Sequence, residues 1–374
     1  MRAATKDRLR RTTRALLPTL LGTALAGCGG GAAATADGGA SDAAASDSPA
    51  RDDATSDIVD APSEPPPAPP EPYARPTYAH LSETGLYADF AAKQVATGLT
   101  AFEPTHKLWS DAATKRRWIR LPPGTKIDTS DMDHWVFPVG TKLFKEFSLD
   151  GVLLETRLVE RYGTGPEDYW MGAFVWNADG TDAVLAPDGQ SDINGTMHDA
   201  PKQKDCLLCH RGDVGRVLGF SAIQLSRTTN PPAMPELVAK GWLSNPPADP
   251  RGYPAPGDAT TAAALGYLHA NCGHCHNENG TSWPDTQMVL RLVVGERDAA
   301  TSGVFGSIVG QRITYWRGGN ITLRVDPGSP DTSGIFVRMH ARGSMDQMPP
   351  VASEIIDPTG LDLVRQWIAA LPKN

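Results

Sequence analysis

Between Trp109 and Pro187 apolar and polar residues alternate with the two-residue period of half-buried strands. The runs are Arg117 to Leu121, His134 to Phe137, Thr141 to Phe147, Val152 to Arg161, Tyr169 to Trp176 and Asp182 to Leu185. Asp150-Gly151 and Asn177-Ala-Asp-Gly180 fall between successive runs and have the composition of hairpin turns, which predicts an antiparallel meander. Five of the nine tryptophans lie here (Trp109, Trp118, Trp135, Trp170 and Trp176), where sandwich core is the expected role. Further along, the period changes. Asp258 to Ala270 is alanine-rich with Leu265 and Leu268 on one side, and Thr359 to Leu371 repeats Leu361, Val364, Ile368 and Leu371 at helical spacing with Trp367 beside them. The pattern predicts an α+β chain: an antiparallel β-rich domain over 76–200, followed by a mainly α-helical part.

The N-terminal 75 residues follow neither period. Arg2, Lys6, Arg8, Arg10, Arg11 and Arg14 precede the short apolar stretch Ala15 to Gly27, the layout of an export signal over 1–27. The stretch is too short to span a bilayer. Thr12 and Thr13 fit a twin-arginine signal poorly, so general secretion is the expected route. Leu25-Ala-Gly-Cys28 resembles the bacterial lipobox, which makes Cys28 the expected lipidated residue and new N-terminus. Residues 28–75 are almost wholly Ala, Gly, Asp, Ser, Thr and Pro and read as a disordered tether. Its 44 residues from 29 to 72 would reach on the order of 35–40 Å as a flexible coil.

Charge sharpens this picture. The chain carries −8 overall, but the leader holds six of the 35 basic residues and one of the 43 acidic ones, so the remainder stands at −13. Such a surface disfavours nucleic acid and favours protein partners with a basic docking surface.

Cysteine use is the most specific signal. Apart from Cys28, all the cysteines lie in two pentapeptides, Cys206-Leu-Leu-Cys209-His210 and Cys272-Gly-His-Cys275-His276. Cys-x-x-Cys-His is the attachment signature of c-type haem: two thiols add across the porphyrin vinyl groups and the histidine becomes the proximal iron ligand. A four-cysteine zinc ribbon brings its pairs within roughly 15–20 residues of each other, whereas 62 residues separate Cys209 from Cys272. Neither zinc nor a thioredoxin-like pair requires a histidine after each second cysteine. Two covalently bound haems c are expected, with His210 and His276 as proximal ligands and 201–257 as the first haem segment.

Residues 258–374 resemble a class I cytochrome c domain, in which two terminal helices enclose the haem. In that family a small residue and an aromatic on the first helix cross an aromatic on the last, roles that Gly266, Tyr267 and Trp367 match. The resemblance implies a methionine ligand from a loop before the last helix. In Gly343-Ser-Met-Asp-Gln-Met-Pro-Pro350 that is Met348, with Met345 and Met339 as competitors. For the first iron, His198 is the candidate sixth ligand, Met234-Pro235 is a weaker one, and His134 and His106 are expected to be structural. His269 and His274 are expected to hydrogen-bond near the second haem. Without a sixth ligand the first iron would be open.

From about Leu81 to the C-terminus the order of segments resembles a family of bacterial exported dihaem c-type cytochromes. The carriers are Leu108-Trp-Ser-Asp111, Trp118-Ile-Arg-Leu-Pro-Pro-Gly124, Phe137-Pro-Val-Gly140, Trp176-Asn-Ala-Asp-Gly-Thr181, Tyr267-Leu-His-Ala-Asn-Cys272, Asp326-Pro-Gly-Ser-Pro330 and Met348-Pro-Pro350, together with the haem peptides. The resemblance implies electron transfer in the cell envelope, with a lipid anchor in the membrane. Gly29, in place of an aspartate retention signal, points to the outer membrane, facing the periplasm. The alternatives are a dihaem peroxidase-like enzyme with an open first haem and the haem subunit of a larger dehydrogenase complex. No glycine-rich dinucleotide fingerprint or HExxH motif is present to supply other chemistry.

Acylation of Cys28 is tested by Cys28→Ser, which is expected to move the protein from the membrane fraction to the soluble fraction with its haem content unchanged. Equal membrane association of both proteins would refute the lipobox reading.

Overall fold

The computed structural model describes residues 74–226, 232–249, 251–315 and 318–373. The export signal, Cys28 and all but the last two residues of the tether lie outside the described residues. The β strands come first: β1 (Tyr87–Asp89), β2 (Gln94–Val95), β3 (Thr100–Ala101), β4 (Thr114–Arg120), β5 (Lys142–Leu149), β6 (Val152–Arg161), β7 (Tyr169–Trp176) and β8 (Ala183–Leu185). The helices follow: α1 (Cys206–His210), α2 (Met234–Ala239), α3 (Ala259–Asn271), α4 (Trp283–Thr286), α5 (Gly303–Ile308), α6 (Gly334–His340) and α7 (Pro358–Ala370). The chain is therefore α+β, with antiparallel sheet first and helices afterwards.

Strands β3 to β8 form one six-stranded antiparallel sheet in sequence order, the expected meander, and β1 pairs with β2 in a separate hairpin. Asp150 and Gly151, both at positive φ, make the turn from β5 to β6. The predicted run His134 to Phe137 is not a strand; Val136 makes only a single bridge to Asp128. No second full sheet faces the first among the described residues, so the aromatic residues sort differently from a sandwich core. Trp118, Trp170 and Trp176 pack on one sheet face with Phe144, Leu158 and Phe174, under Leu81, Leu86 and Tyr87 from the N-terminal segment. Removing a buried aromatic of this size costs about 3–5 kcal/mol. Trp135 belongs to another core, and Trp109 lies off the sheet.

The opposite sheet face is closed at one end by Ile119 and Leu143, which share a core with Val217, Phe220, Leu237 and Leu243. The segment 201–257 is thus built onto the sheet through common apolar packing. Met234 is fully buried in this core, which explains its place before Pro235 without a ligand role.

The helical part has its own core, in which Leu265 and Leu268 of α3 meet Val364, Trp367 and Ile368 of α7. Asp258 caps α3 by accepting from the Thr261 N–H, and Asp357 caps α7 by accepting from the Thr359 and Gly360 N–H groups. The helices lie where the apolar period predicted them. The small residue that the contact demands differs, however: a side chain at Gly360 of α7 would collide with the Tyr267 ring, whereas the space beside Gly266 is filled by the His106 imidazole. Tyr267 packs on the last helix at Gly360, and Gly266 admits a residue from the sheet-bearing part of the chain. Among the described residues no helix is long and apolar enough to cross a membrane.

Candidate functional site

Each Cys-x-x-Cys-His peptide sits on a short turn of helix, which puts its two cysteines three residues apart on one side. The first is α1 itself, closed by Arg211 N–H to the Leu207 carbonyl at 3.1 Å. The second begins where α3 ends: Cys275 and His276 both donate backbone N–H to the Cys272 carbonyl, at 3.1 and 2.9 Å. The two peptides, distant in sequence, lie against each other. Cys275 Sγ donates to the Leu208 carbonyl at 3.3 Å and Thr281 Oγ1 to the same oxygen at 2.9 Å. The contact needs glycine, because a Cβ at Gly212 would clash with the His274 carbonyl oxygen and the Asn277 amide. Arg291 ties the peptides together by donating to the Gly212 carbonyl at 3.1 Å and pairing with Asp213 at 3.2 Å.

Cys209, His210, Cys272, Cys275, His276 and Met348 line a single cavity of about 380 Å³. Cys206 lies off its wall, close enough to Arg157 to feel that charge. All four cysteines are free thiols. Burial pushes the Cys206 thiol up to about 11 and the Cys272 thiol up to about 12.

The two histidines are prepared for ligation in different ways. His210 Nδ1 lies 2.6 Å from the Arg216 carbonyl oxygen, which can only accept. The proton therefore sits on Nδ1, and the Nε2 lone pair is left for an electrophile or metal. Burial, outweighing the Arg216 carbonyl, lowers the His210 pKa to about 4, so the ring is neutral. His276 is 7% exposed and its Nδ1 has no hydrogen-bond partner among the described residues. Burial, with the neighbouring His274, Arg338 and Arg324, lowers its pKa to about 4. Two neutral imidazoles in one largely apolar chamber, each following a pair of cysteines, fit covalently held haem iron.

Met348 reaches the cavity from a pinned loop. Its backbone N–H donates to the Arg338 carbonyl at 3.0 Å, while Gln347 donates to the Pro349 and Ser353 carbonyls at 3.1 and 2.9 Å. Leu108-Trp-Ser-Asp111 holds the next part of the loop: Trp109 Nε1 donates to the Ile355 carbonyl at 2.9 Å and Asp111 Oδ1 accepts the Ile355 N–H at 2.7 Å. Asn271 joins the same segment to α3 by accepting the Trp109 N–H at 2.7 Å. Of the competing methionines, Met345 is 97% exposed and does not line the cavity, whereas Met339 on α6 is 7% exposed and does.

His198 is located elsewhere. It is 1% exposed, does not line the cavity, and its Nε2 meets Glu155 Oε1 at 2.8 Å. Glu155 in turn pairs with Arg157. His198 therefore supports a buried ion pair and has no path to an iron in the chamber. His106, expected to be structural, both packs on Gly266 and lines the cavity, and burial lowers its pKa to about 4. His134 does not line it.

Three more lining residues went unnoticed in the sequence: Arg117, Lys145 and Arg157. The signal was available, since they share strand parity with Ile119, Leu143 and Val159 and so occupy core-facing positions. Cys209, His274 and Cys275 also bring their ligand atoms within 4.8 Å of one another, a group able to hold a metal ion. Compared with known protein families, curated proteins and solved structures, the chain matches none.

His269 yields a pH test. Its Nδ1 accepts the Leu292 N–H at 3.0 Å, and burial, helped by Arg291, lowers its pKa from 6.5 to about 3. A folded-state pKa below the unfolded one means the contribution is complete above pH 6.5 and lost as pH falls toward 3. The loss should approach about 3–5 kcal/mol. The melting temperature is expected to fall through this window, and less steeply for His269→Gln, which keeps an acceptor but takes up no proton. Identical acid slopes would exclude His269 as a source.

Proposed function

We propose that this chain is a dihaem c-type cytochrome that carries electrons in the bacterial cell envelope. The observation that carries the reading is the convergence of two Cys-x-x-Cys-His peptides on one cavity, with His210 Nδ1 committed to a carbonyl and Nε2 left to ligate. Cys206 and Cys209 would hold one haem and Cys272 and Cys275 the other, with His210 and His276 as proximal ligands. When bound, haem c supplies one-electron redox chemistry. The protein's part is to exclude water, keep both imidazoles neutral and deprotonated at the ligating nitrogen, and hold the two attachment peptides side by side.

In this reading Met348 would supply the second protein ligand to the iron held by His276. Thioether and imidazole ligation would raise the potential and leave no position for small molecules, which suits transfer over catalysis. The helical part, residues 258–374, is then a class I cytochrome c-like domain, supported by the apolar contact of α3 with α7 and by the methionine loop between α6 and α7. Lipidation at Cys28 would anchor the protein at the outer membrane, facing the periplasm, with the acidic surface meeting basic redox partners. Of His198 and His106 only His106 lines the cavity, so it alone of the two would be available to an iron held there. If the first iron remains open, peroxidase-type chemistry is the consequence.

One observation favours a second reading. Cys209, His274 and Cys275 bring three ligand atoms together, the number of protein ligands that a catalytic zinc site uses. The two readings differ in metal content. The haem reading predicts two iron atoms per chain, no zinc, and two covalent haems on a haem-stained denaturing gel. Cys206→Ala with Cys209→Ala, and Cys272→Ala with Cys275→Ala, are each expected to leave one haem. One zinc per chain with no stain would establish the alternative.

Ligation by Met348 is read from the ferric spectrum. A weak charge-transfer band at the red end of the visible range is expected in the wild type, lost in Met348→Leu and retained in Met345→Leu. Its persistence in Met348→Leu and loss in Met339→Leu would transfer the ligand role to α6.

A further inference from the structure

The sheet face that closes the cavity carries a row of cations. Arg117 of β4 is the direct cross-strand neighbour of Lys145 of β5, which is the direct neighbour of Arg157 of β6. All three line the cavity. Like charges placed opposite one another across strands repel, and each is also costly to remove from water. The row therefore requires negative charge facing it.

The chain itself provides only part of that charge. Arg157 is paired with Glu155, which His198 holds from behind, and the charge of Glu103 acts on Arg117. Lys145, in the middle, has no hydrogen-bond or ion-pair partner among the described residues; its ammonium lies 4.9 Å from the Phe147 ring centre. Burial and the flanking Arg117 and Arg157 push its pKa well down. Glu155 pulls the other way, and an anion facing the row from outside the polypeptide would add to it.

The neighbouring row indicates the anion's shape. One step along the strands, Ile119, Leu143 and Val159 stand opposite one another in the same way, and Leu143 and Val159 line the cavity. The wall thus offers an apolar strip beside a cationic one, with the three cations spread over about 10 Å. A flat apolar ring bearing two carboxylates on one edge matches both strips. Position selects between the two attachment peptides: Arg157 acts electrostatically on Cys206 and Cys209 and Lys145 on His210, whereas His276 is influenced by Arg324 and Arg338.

We infer that the Arg117–Lys145–Arg157 row seats the two propionate carboxylates of the haem attached at Cys206 and Cys209. The inference rests on the haem reading above. It gives the β sheet a function: the sheet forms one wall of the first haem site and helps set that haem's potential, with Lys145 as the central positioning residue.

Spectroelectrochemical titration of the two-haem holoprotein tests it. Reduction adds negative charge, so a nearby cation favours the reduced haem. Lys145→Met is expected to lower one midpoint and leave the other in place, Lys145→Arg to restore it, and Arg117→Gln to lower the same midpoint, which keeps the test decisive if Lys145→Met does not accumulate. Haem staining of the wild type is read first; absence of covalent haem would overturn the underlying reading and this inference with it. With both haems present, unchanged midpoints in Lys145→Met and Arg117→Gln, or equal shifts of both haems, would overturn the inference alone. A free dicarboxylate is the other source of the same chemistry. Added succinate is expected to leave the wild-type midpoints unchanged, and a succinate-dependent shift abolished by Lys145→Met would assign the row to a soluble ligand instead.

Discussion

The close approach of Gly212 to the His274 carbonyl is the constraint on which the rest of the site depends. It lets two helical turns more than sixty residues apart in sequence share one chamber, with the Leu208 carbonyl accepting from both Cys275 and Thr281. Any side chain at position 212 would separate them. The joint, the His106 segment and the Met348 loop are each fastened by side-chain hydrogen bonds to backbone groups: Arg291 to the Gly212 carbonyl, Asn271 to the Trp109 N–H, and Asp111 to the Ile355 N–H. These are directional bonds in partly buried surroundings, where leaving a partner unsatisfied costs more than the bond itself contributes.

The sheet divides its labour between its faces. One face is a conventional core of aromatic and branched residues whose buried carboxylates are internally satisfied, as where Glu146 accepts from both Tyr87 and Arg116. The other turns charge toward the cavity. Its Glu155 is fully buried and held by Arg157 and His198 together, while Lys145 has no hydrogen-bond or ion-pair partner among the described residues and only the longer-range pull of Glu155. The contrast between the two strand positions marks the part of the sheet that lines the cavity.

The histidines show how environment assigns roles to one side chain. His210 lines the chamber with a carbonyl on Nδ1 and no hydrogen bond to Nε2 among the described residues; His198 has its Nε2 occupied by a carboxylate; His269 accepts a backbone N–H. Ligand capacity follows from which nitrogen is left over, and this depends on neighbours supplied by other parts of the chain.

By itself the sequence determined the local features. The alternation in Val152 to Arg161 and Tyr169 to Trp176, the turn at Asp150-Gly151, the caps of α3 and α7 and the Cys-x-x-Cys-His peptides are all written within spans of a few residues, because strand period, helix period and capping are short-range physics. Met348 was singled out by the resemblance of its loop to the methionine loop of class I cytochromes c, and it does line the cavity. Tertiary structure alone decided that His106 fills the space beside Gly266, that Gly360 receives Tyr267, that His198 belongs to Glu155, and that Arg117, Lys145 and Arg157 form one row. Each of these depends on the register between strands or on the packing of segments more than thirty residues apart, except for the closer strand pairs of β4, β5 and β6. A charged residue at a core-facing parity was visible in the sequence, but whether it met a carboxylate or an open cavity was settled only by what folded opposite it.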